Sequence, residues 1–320
     1  MSNKLNIFKE SKIYKPMQYQ WAEDYRQESE QMHWVTDEID FNQDLVDFRE
    51  KLSADEQEFV KSILSIFTQS DFAVANYYVD FLLPKIKNNE IRGMLSSFNC
   101  REWEHQRGYA QLNESLGLPE SYYTDFLEHV ATLEKWNFYK DNKGYSDNFG
   151  LSVAKQVGTE GIALFGAFIM LKNFERHGLL MGTCKVNEWS LKDETLHVEG
   201  NSKLFRVWAS ENSKEVGNSF KKKIYDMIRE LVELECNFID FAFNKHEVRD
   251  LNPEDVKLYI KYIADRRLLQ LGLKSEYKIE TNPLPWFDEL TNGSSLQNFF
   301  EGRSADYDIA GLTGEYKYGN

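Results

Sequence analysis

Apolar positions recur at three- and four-residue intervals through most of the chain, the period of helices that bury one face. Ser53, followed three residues later by Glu56, has the form of a capping box. The helix it opens is predicted to run to Pro84, with an inward stripe of Val60, Ile63, Phe67, Asp71, Val74, Tyr78 and Leu82. A second helix, over residues 89–116, puts Ile91, Leu95, Phe98, Glu102, His105, Tyr109, Leu112 and Leu116 on one face and stops at Gly117 and Pro119. A packing helix is expected over 120–140 and a loop over 144–150. From residue 151 the pattern repeats, with Val153, Val157, Glu160, Leu164, Phe168 and Leu171 forming a stripe closed by Gly178. After a loop through Gly182, a helix over 186–209 places Glu194 and His197 on the face of Leu204 and Trp208, and further helices are predicted over 214–245 and 253–271. No proline interrupts the chain between Pro119 and Pro253, which lets these helices run on. Residues 1–50 are polar and read as an extended lead-in, and from Asn282 the helical period is lost. The pattern predicts an all-α protein with one helical domain over residues 1–285 and a tail over 286–320.

Composition narrows the partners. The net charge of −14 and pI near 5.0 argue against nucleic acid or anionic lipid, which are held by clustered Lys and Arg. Cys100, Cys184 and Cys236 are widely spaced with no CxxC pair, so neither a disulfide framework nor a sulfur-ligated zinc site is expected, and the cytoplasm is the expected compartment. The N-terminus lacks the apolar core of a signal peptide. The longest apolar run, Ile162 to Leu171, is half of what a bilayer crossing needs, so no membrane span is expected.

The polar residues set into apolar stripes change the picture most. Asp71 precedes Glu102 by 31 residues and Glu160 precedes Glu194 by 34, intervals that suit a helix, a turn and an antiparallel return. Each half thus offers a helix with one buried carboxylate and then a helix with Glu-x-x-His. Folding the two hairpins into a four-helix bundle brings Asp71, Glu102, His105, Glu160, Glu194 and His197 to one level, the ligand set of ferritin-like dimetal carboxylate proteins. Four carboxylates in an apolar core would repel or protonate, whereas two divalent cations neutralise them. Mixed oxygen and imidazole ligation suits iron or manganese. Glu30 and His33 share the spacing but lie in the polar lead-in and are read as surface. Tyr109, one turn beyond His105, is either a core tyrosine or an oxidisable phenol beside the metals, with Leu164 and Phe168 as its apolar pocket.

With these motifs in place, the sequence resembles the small, radical-generating subunit of class I ribonucleotide reductase from Trp34 to Tyr307. The matching segments are REWEHQRGY at 101–109, QSDF at 69–72, VGTEGI at 157–162 and KDETLH at 192–197. The resemblance implies a ferritin-like bundle in which the six residues bind a diiron, dimanganese or mixed manganese–iron pair, with Tyr109 the candidate radical. It implies a relay from the metals to a large catalytic subunit, with Trp34 in WVTDEID as the relay tryptophan, Asp193 linking it to a metal-bound histidine, and Tyr307 on a mobile tail that docks on that subunit. Tyr316 and Tyr318 match the tail position less well. Ser190 departs from the aliphatic residue common in members with a stable tyrosyl radical, and some branches store the oxidant on the metals. The resemblance further implies a homodimer, and in some branches an activating flavoprotein. The rival readings are a dimetal oxidase or hydroxylase with its own substrate, a ferroxidase or metal storage protein, and a purely structural bundle.

Overall fold

The structure, a computed structural model, describes residues 6–142 and 144–291. The helices are α1 (Gln20–Gln31), α2 (Asn42–Val46), α3 (Ala54–Tyr77), α4 (Asn89–Ser115), α5 (Tyr122–Asp125), α6 (Val130–Lys140), α7 (Phe149–Gly161), α8 (Phe165–Lys172), α9 (Met181–Glu211), α10 (Asn218–Phe243), α11 (Pro253–Gln270) and α12 (Pro285–Thr291). No strand occurs among the described residues. The chain divides into Met1–Pro283 and Leu284–Asn320, the second unit contributing α12.

Within the first unit α3 packs on α4, α7 on α9, α4 on α9 and α3 on α7, a four-helix core. Helix α1 covers α4, and α10 and α11 cover α7 and α8. The capping box forms as expected: the Ser53 hydroxyl accepts from the Glu56 amide and the Glu56 carboxylate accepts from the Ser53 amide. One helical stretch, Phe149–His177, is long and apolar enough to cross a bilayer, and its apolar window is wholly buried inside the protein.

Five expectations are corrected. The lead-in is partly helical: α1 is held by Arg26 with Glu23 and Glu30 at three- and four-residue spacing and by the Ser97 hydroxyl bonded to Ser29, contacts an apolar count does not see. The helix expected over 120–140 is split into α5 and α6, because the Thr132 hydroxyl donates to the Phe126 and His129 carbonyls at 2.6 and 3.1 Å, competing with helical bonding there. The helix expected from 151 to Gly178 starts at Phe149, breaks at Ile162–Leu164 and ends in a 3-10 turn over Asn173–His177. At that break the Tyr139 phenol donates to the Ala163 carbonyl (3.1 Å) and Arg267 Nε to the Gly161 carbonyl (3.0 Å), so side chains replace the lost helical donors. Helix α9 begins at Met181, five residues earlier than predicted. Its first amides are capped by Asp44, which accepts from the Gly182 and Thr183 backbone N–H groups at 2.9 and 2.6 Å. Gly182 is required there, since a Cβ would lie 2.6 Å from the Asp40 carbonyl oxygen. The start of the tail is also helical, in α12, and Tyr307, Tyr316, Tyr318 and everything from residue 292 on lie outside the described residues.

Candidate metal centre

Helices α3, α4, α7 and α9 deliver Asp71, Glu102 with His105, Glu160, and Glu194 with His197, all buried. The Glu-x-x-His spacing stacks carboxylate and imidazole one turn apart on each inward face. The six residues fall into two groups whose ligand atoms lie within 4.8 Å of one another: Asp71, Glu102, His105 and Glu194, and then Glu102, Glu160, Glu194 and His197. Glu102 and Glu194 belong to both groups. His105 Nδ1 lies 3.3 Å from both Glu102 and Glu194, and His197 Nδ1 lies 2.9 Å from Glu102 and 3.4 Å from Glu194. Glu30 and His33, by contrast, are exposed, Glu30 pairing with Arg26.

The donor set fits a pair of cations. Both oxygens of Glu102 and of Glu194, Asp71 Oδ2 and Nδ1 of each histidine are buried without a hydrogen-bond partner. Such orphaned groups are costly in a core unless something else satisfies them. The electrostatics agree. Burial raises the Asp71 carboxyl well above its ordinary value, with the His105 charge opposing and the Glu102 and Glu194 charges adding to the rise. Burial likewise raises Glu160 to about 7. At Glu102 burial is outweighed by the charge and close approach of His105 and His197, which hold it at about 2. Both histidines are raised despite burial, His105 by Glu102 and Asp193 and His197 by Glu102 and Glu160. Divalent cations would take over the neutralisation that protons and imidazoliums provide in this arrangement.

A chain of hydrogen bonds leaves the cluster through His105. Asp193 Oδ2 lies 3.0 Å from His105 Nε2 and accepts from Trp34 Nε1 at 2.9 Å and Arg101 Nε at 3.1 Å. Burial would raise the Asp193 carboxyl, but the hydrogen bond with His105 and the charges of His105 and Arg101 overcome it and hold the carboxyl low. The indole of Trp34 stacks on the His105 ring, 5.9 Å between centroids with planes 11° apart. Arg101 also lies over the Trp34 ring and donates to its carbonyl. Gly108 permits this proximity, because a Cβ would lie 2.7 Å from Val186 on α9.

Tyr109 is fully buried, its ring centroid 4.3 Å from that of Phe67, which also packs edge-on against Phe168 at 5.3 Å. Its hydroxyl meets Asn187 Oδ1 at 3.5 Å, and Ser190 also faces it. Burial, reinforced by the Asp71 charge, pushes the phenol well above its ordinary value.

Sequence reasoning missed Arg101, Asn187, Gln156 and Asn201, and took Tyr78 for an ordinary stripe residue. Gln156, Asn201 and Tyr78 all donate or accept at Glu160 or at one another. The available signal was helical spacing: Gln156 precedes Glu160 by four residues, Asn201 follows His197 by four, and Tyr78 follows Asp71 by seven.

Comparison with known proteins gives a consistent picture. The profile of the family described as ribonucleotide reductase, small chain, matches residues 11–283. A probable ribonucleoside-diphosphate reductase small subunit of Invertebrate iridescent virus 3 is 35% identical over 95% of this chain and 86% of its own length. The corresponding protein of Invertebrate iridescent virus 6 is 33% identical over 95% of each chain. Among solved structures, the ribonucleotide reductase R2 subunit from Clostridium botulinum superposes with a TM-score of 0.80 at 23% identity, covering 86% of this chain and 89% of that one, a likeness of fold.

Proposed function

The chain belongs to the ribonucleotide reductase small-chain family and is the small subunit of a ribonucleoside-diphosphate reductase, and we propose that its buried cluster is the oxidant-generating centre of that enzyme. In this reading Asp71, Glu102, His105 and Glu194 hold one metal ion, and Glu102, Glu160, Glu194 and His197 hold the other. The pair, diiron, dimanganese or mixed manganese–iron, supplies the capacity to react with an oxygen species and hold a one-electron oxidising equivalent.

The chain's own residues do the rest. Asp193, accepting from His105 Nε2, fixes the imidazole tautomer that leaves Nδ1 free to face the carboxylates. Arg101 offsets the Asp193 charge and keeps the Trp34 indole on the same carboxylate oxygen. Trp34 carries the equivalent outward from there. Tyr109, walled by Phe67 and shielded from water, stores it. Tyr307 continues the path to a large catalytic subunit on which the tail docks. A homodimer in the cytoplasm, activated in the dimanganese case by a flavoprotein, completes the reading.

The observation that carries the proposal is the single oxygen, Asp193 Oδ2, that ties a cluster imidazole to Trp34. The test is Trp34→Phe, run beside a chain ending at Asn298, each assayed with a cognate large subunit. Both are expected to keep wild-type metal content and to lose reductase activity by roughly 100-fold or more. Wild-type turnover in Trp34→Phe would remove Trp34 from the path.

A further inference from the structure

The two halves of the cluster are not held alike. Glu102 and Glu194 are approached only by the two cluster imidazoles, at 2.9–3.4 Å, and by no side-chain donor from outside the cluster. Glu160, in contrast, is bound at both of its oxygens. Oε1 accepts from the Tyr78 hydroxyl at 2.6 Å and from Gln156 Nε2 at 2.9 Å. Oε2 accepts from Asn201 Nδ2 at 3.2 Å, and the same amide group donates to the Tyr78 oxygen at 2.7 Å. Because Tyr78 accepts from Asn201, its own proton is directed to Glu160. Tyr78, Gln156 and Asn201 are all buried and come from three separate segments.

Tyr78 is placed for this by the backbone. It begins a π-helical turn, Tyr78–Leu82, that continues α3 two turns beyond Asp71. Such turns widen a helix locally and re-aim its side chains. The phenol ring also stands edge-on to the His197 imidazole, 6.4 Å between centroids with planes 83° apart. One side chain therefore bonds one member of the second group and packs against another. A carboxylate with both oxygens free can rotate to meet an ion. One held by three donors presents a fixed lone-pair direction and loses less freedom on binding.

We propose that Tyr78 is a positioning residue for the ion held by Glu102, Glu160, Glu194 and His197, and that through it the two metal positions differ in affinity. The inference rests on the dimetal reading above. Removing the hydroxyl takes away the shortest of the three bonds to Glu160, leaves Gln156 on Oε1 and Asn201 on Oε2, and loosens the carboxylate. Loss of such an outer partner typically weakens metal affinity by about 10–100-fold.

The test is a titration of the metal-free, full-length protein with Mn²⁺, free ion being read by paramagnetic resonance and bound ion by equilibrium dialysis. Wild type is expected to take up two ions. Tyr78→Phe is expected to retain one site at wild-type affinity and to weaken the other by about 10–100-fold. Gln156→Leu, which deletes the second donor to the same oxygen, weakens the same single site and serves if Tyr78→Phe does not fold. Tyr77→Phe is the control: that hydroxyl is also buried and bonded, to Asn142 at 2.9 Å and the Ser152 carbonyl at 3.2 Å, yet it is not part of the cluster. It should leave both affinities unchanged. Two wild-type sites in Tyr78→Phe, or equal weakening of both sites, would overturn the role given to Tyr78 and leave the dimetal reading standing. Failure of the wild type to bind two ions would overturn that reading and this inference with it.

Discussion

Tyr109 and Tyr78 are both fully buried phenols near the cluster, but their hydroxyls have different surroundings. Tyr78 has a carboxylate at 2.6 Å, whereas the Tyr109 hydroxyl faces Ser190 and makes a long contact of 3.5 Å to the Asn187 amide oxygen. The Tyr109 hydroxyl therefore contributes little to the fold, since a contact that long is a weak hydrogen bond. Tyr109→Phe is expected to change unfolding free energy by less than about 1 kcal/mol and to keep both ions, while eliminating any phenoxyl resonance signal and the activity that depends on it. A variant that kept full turnover with a large subunit would show that the metals hold the oxidant without the phenol. Arg101 teaches a different lesson about reading single residues. Nothing within REWEHQRGY marks it out, yet it bonds Asp193, 92 residues further on, and the Trp34 carbonyl, 67 residues back. The pairing has no periodic signature, so only the folded chain reveals it.

At the scale of elements, what was legible in the sequence was what is local. The Ser53–Glu56 box opens α3, and the long helices α4, α10 and α11 fall close to where their apolar stripes put them, because both ends of each signal lie within a few residues. The six cluster residues were found for the same reason, as interruptions of those stripes. The start of α9 and the break between α7 and α8 were not, since Asp44, Tyr139 and Arg267 act on them from distant parts of the chain. The capping box has a second, long-range function that sequence hides: Glu56 also pairs with Arg249, tying the N-terminus of α3 to the segment before α11. Burial raises the Glu56 carboxyl, but Arg249 and the Ser53 amide more than reverse it, to about 2 from an ordinary 4.5. A depressed carboxyl stabilises the fold fully above its unfolded value, and the contribution is lost as pH falls from about 4.5 through about 2. With Arg249 partly exposed, the contribution at neutral pH is expected to be of the order of 1–2 kcal/mol. Urea midpoints of wild type and Glu56→Gln should differ at pH 7 and converge as the pH is lowered through this window. A gap constant down to pH 3 would show that the pair contributes nothing through ionisation.

For the whole molecule, the cluster couples stability to its ions. An ion that binds only the folded chain adds about 2.7 kcal/mol when its free concentration is a hundred times its dissociation constant. Loading with Mn²⁺ or Fe²⁺ is therefore expected to raise the melting temperature by at least several degrees over chelator-treated protein, as scanning calorimetry would record. Identical melting curves would argue that the orphaned oxygens and imidazoles are satisfied without metal. The division of ligands along the chain has a further consequence. One group draws three residues from the first helical hairpin and one from the second, and the other group draws one and three. Neither hairpin alone can complete a site, although each has most of one. A captured ion is thus a seam between two lengths of polypeptide, closing only when residues as far apart as Asp71 and Glu194 have come together. Metal uptake during refolding would then time the meeting of the halves, and a chain cut within the turn at 144–148 would bind tightly only when both pieces were mixed.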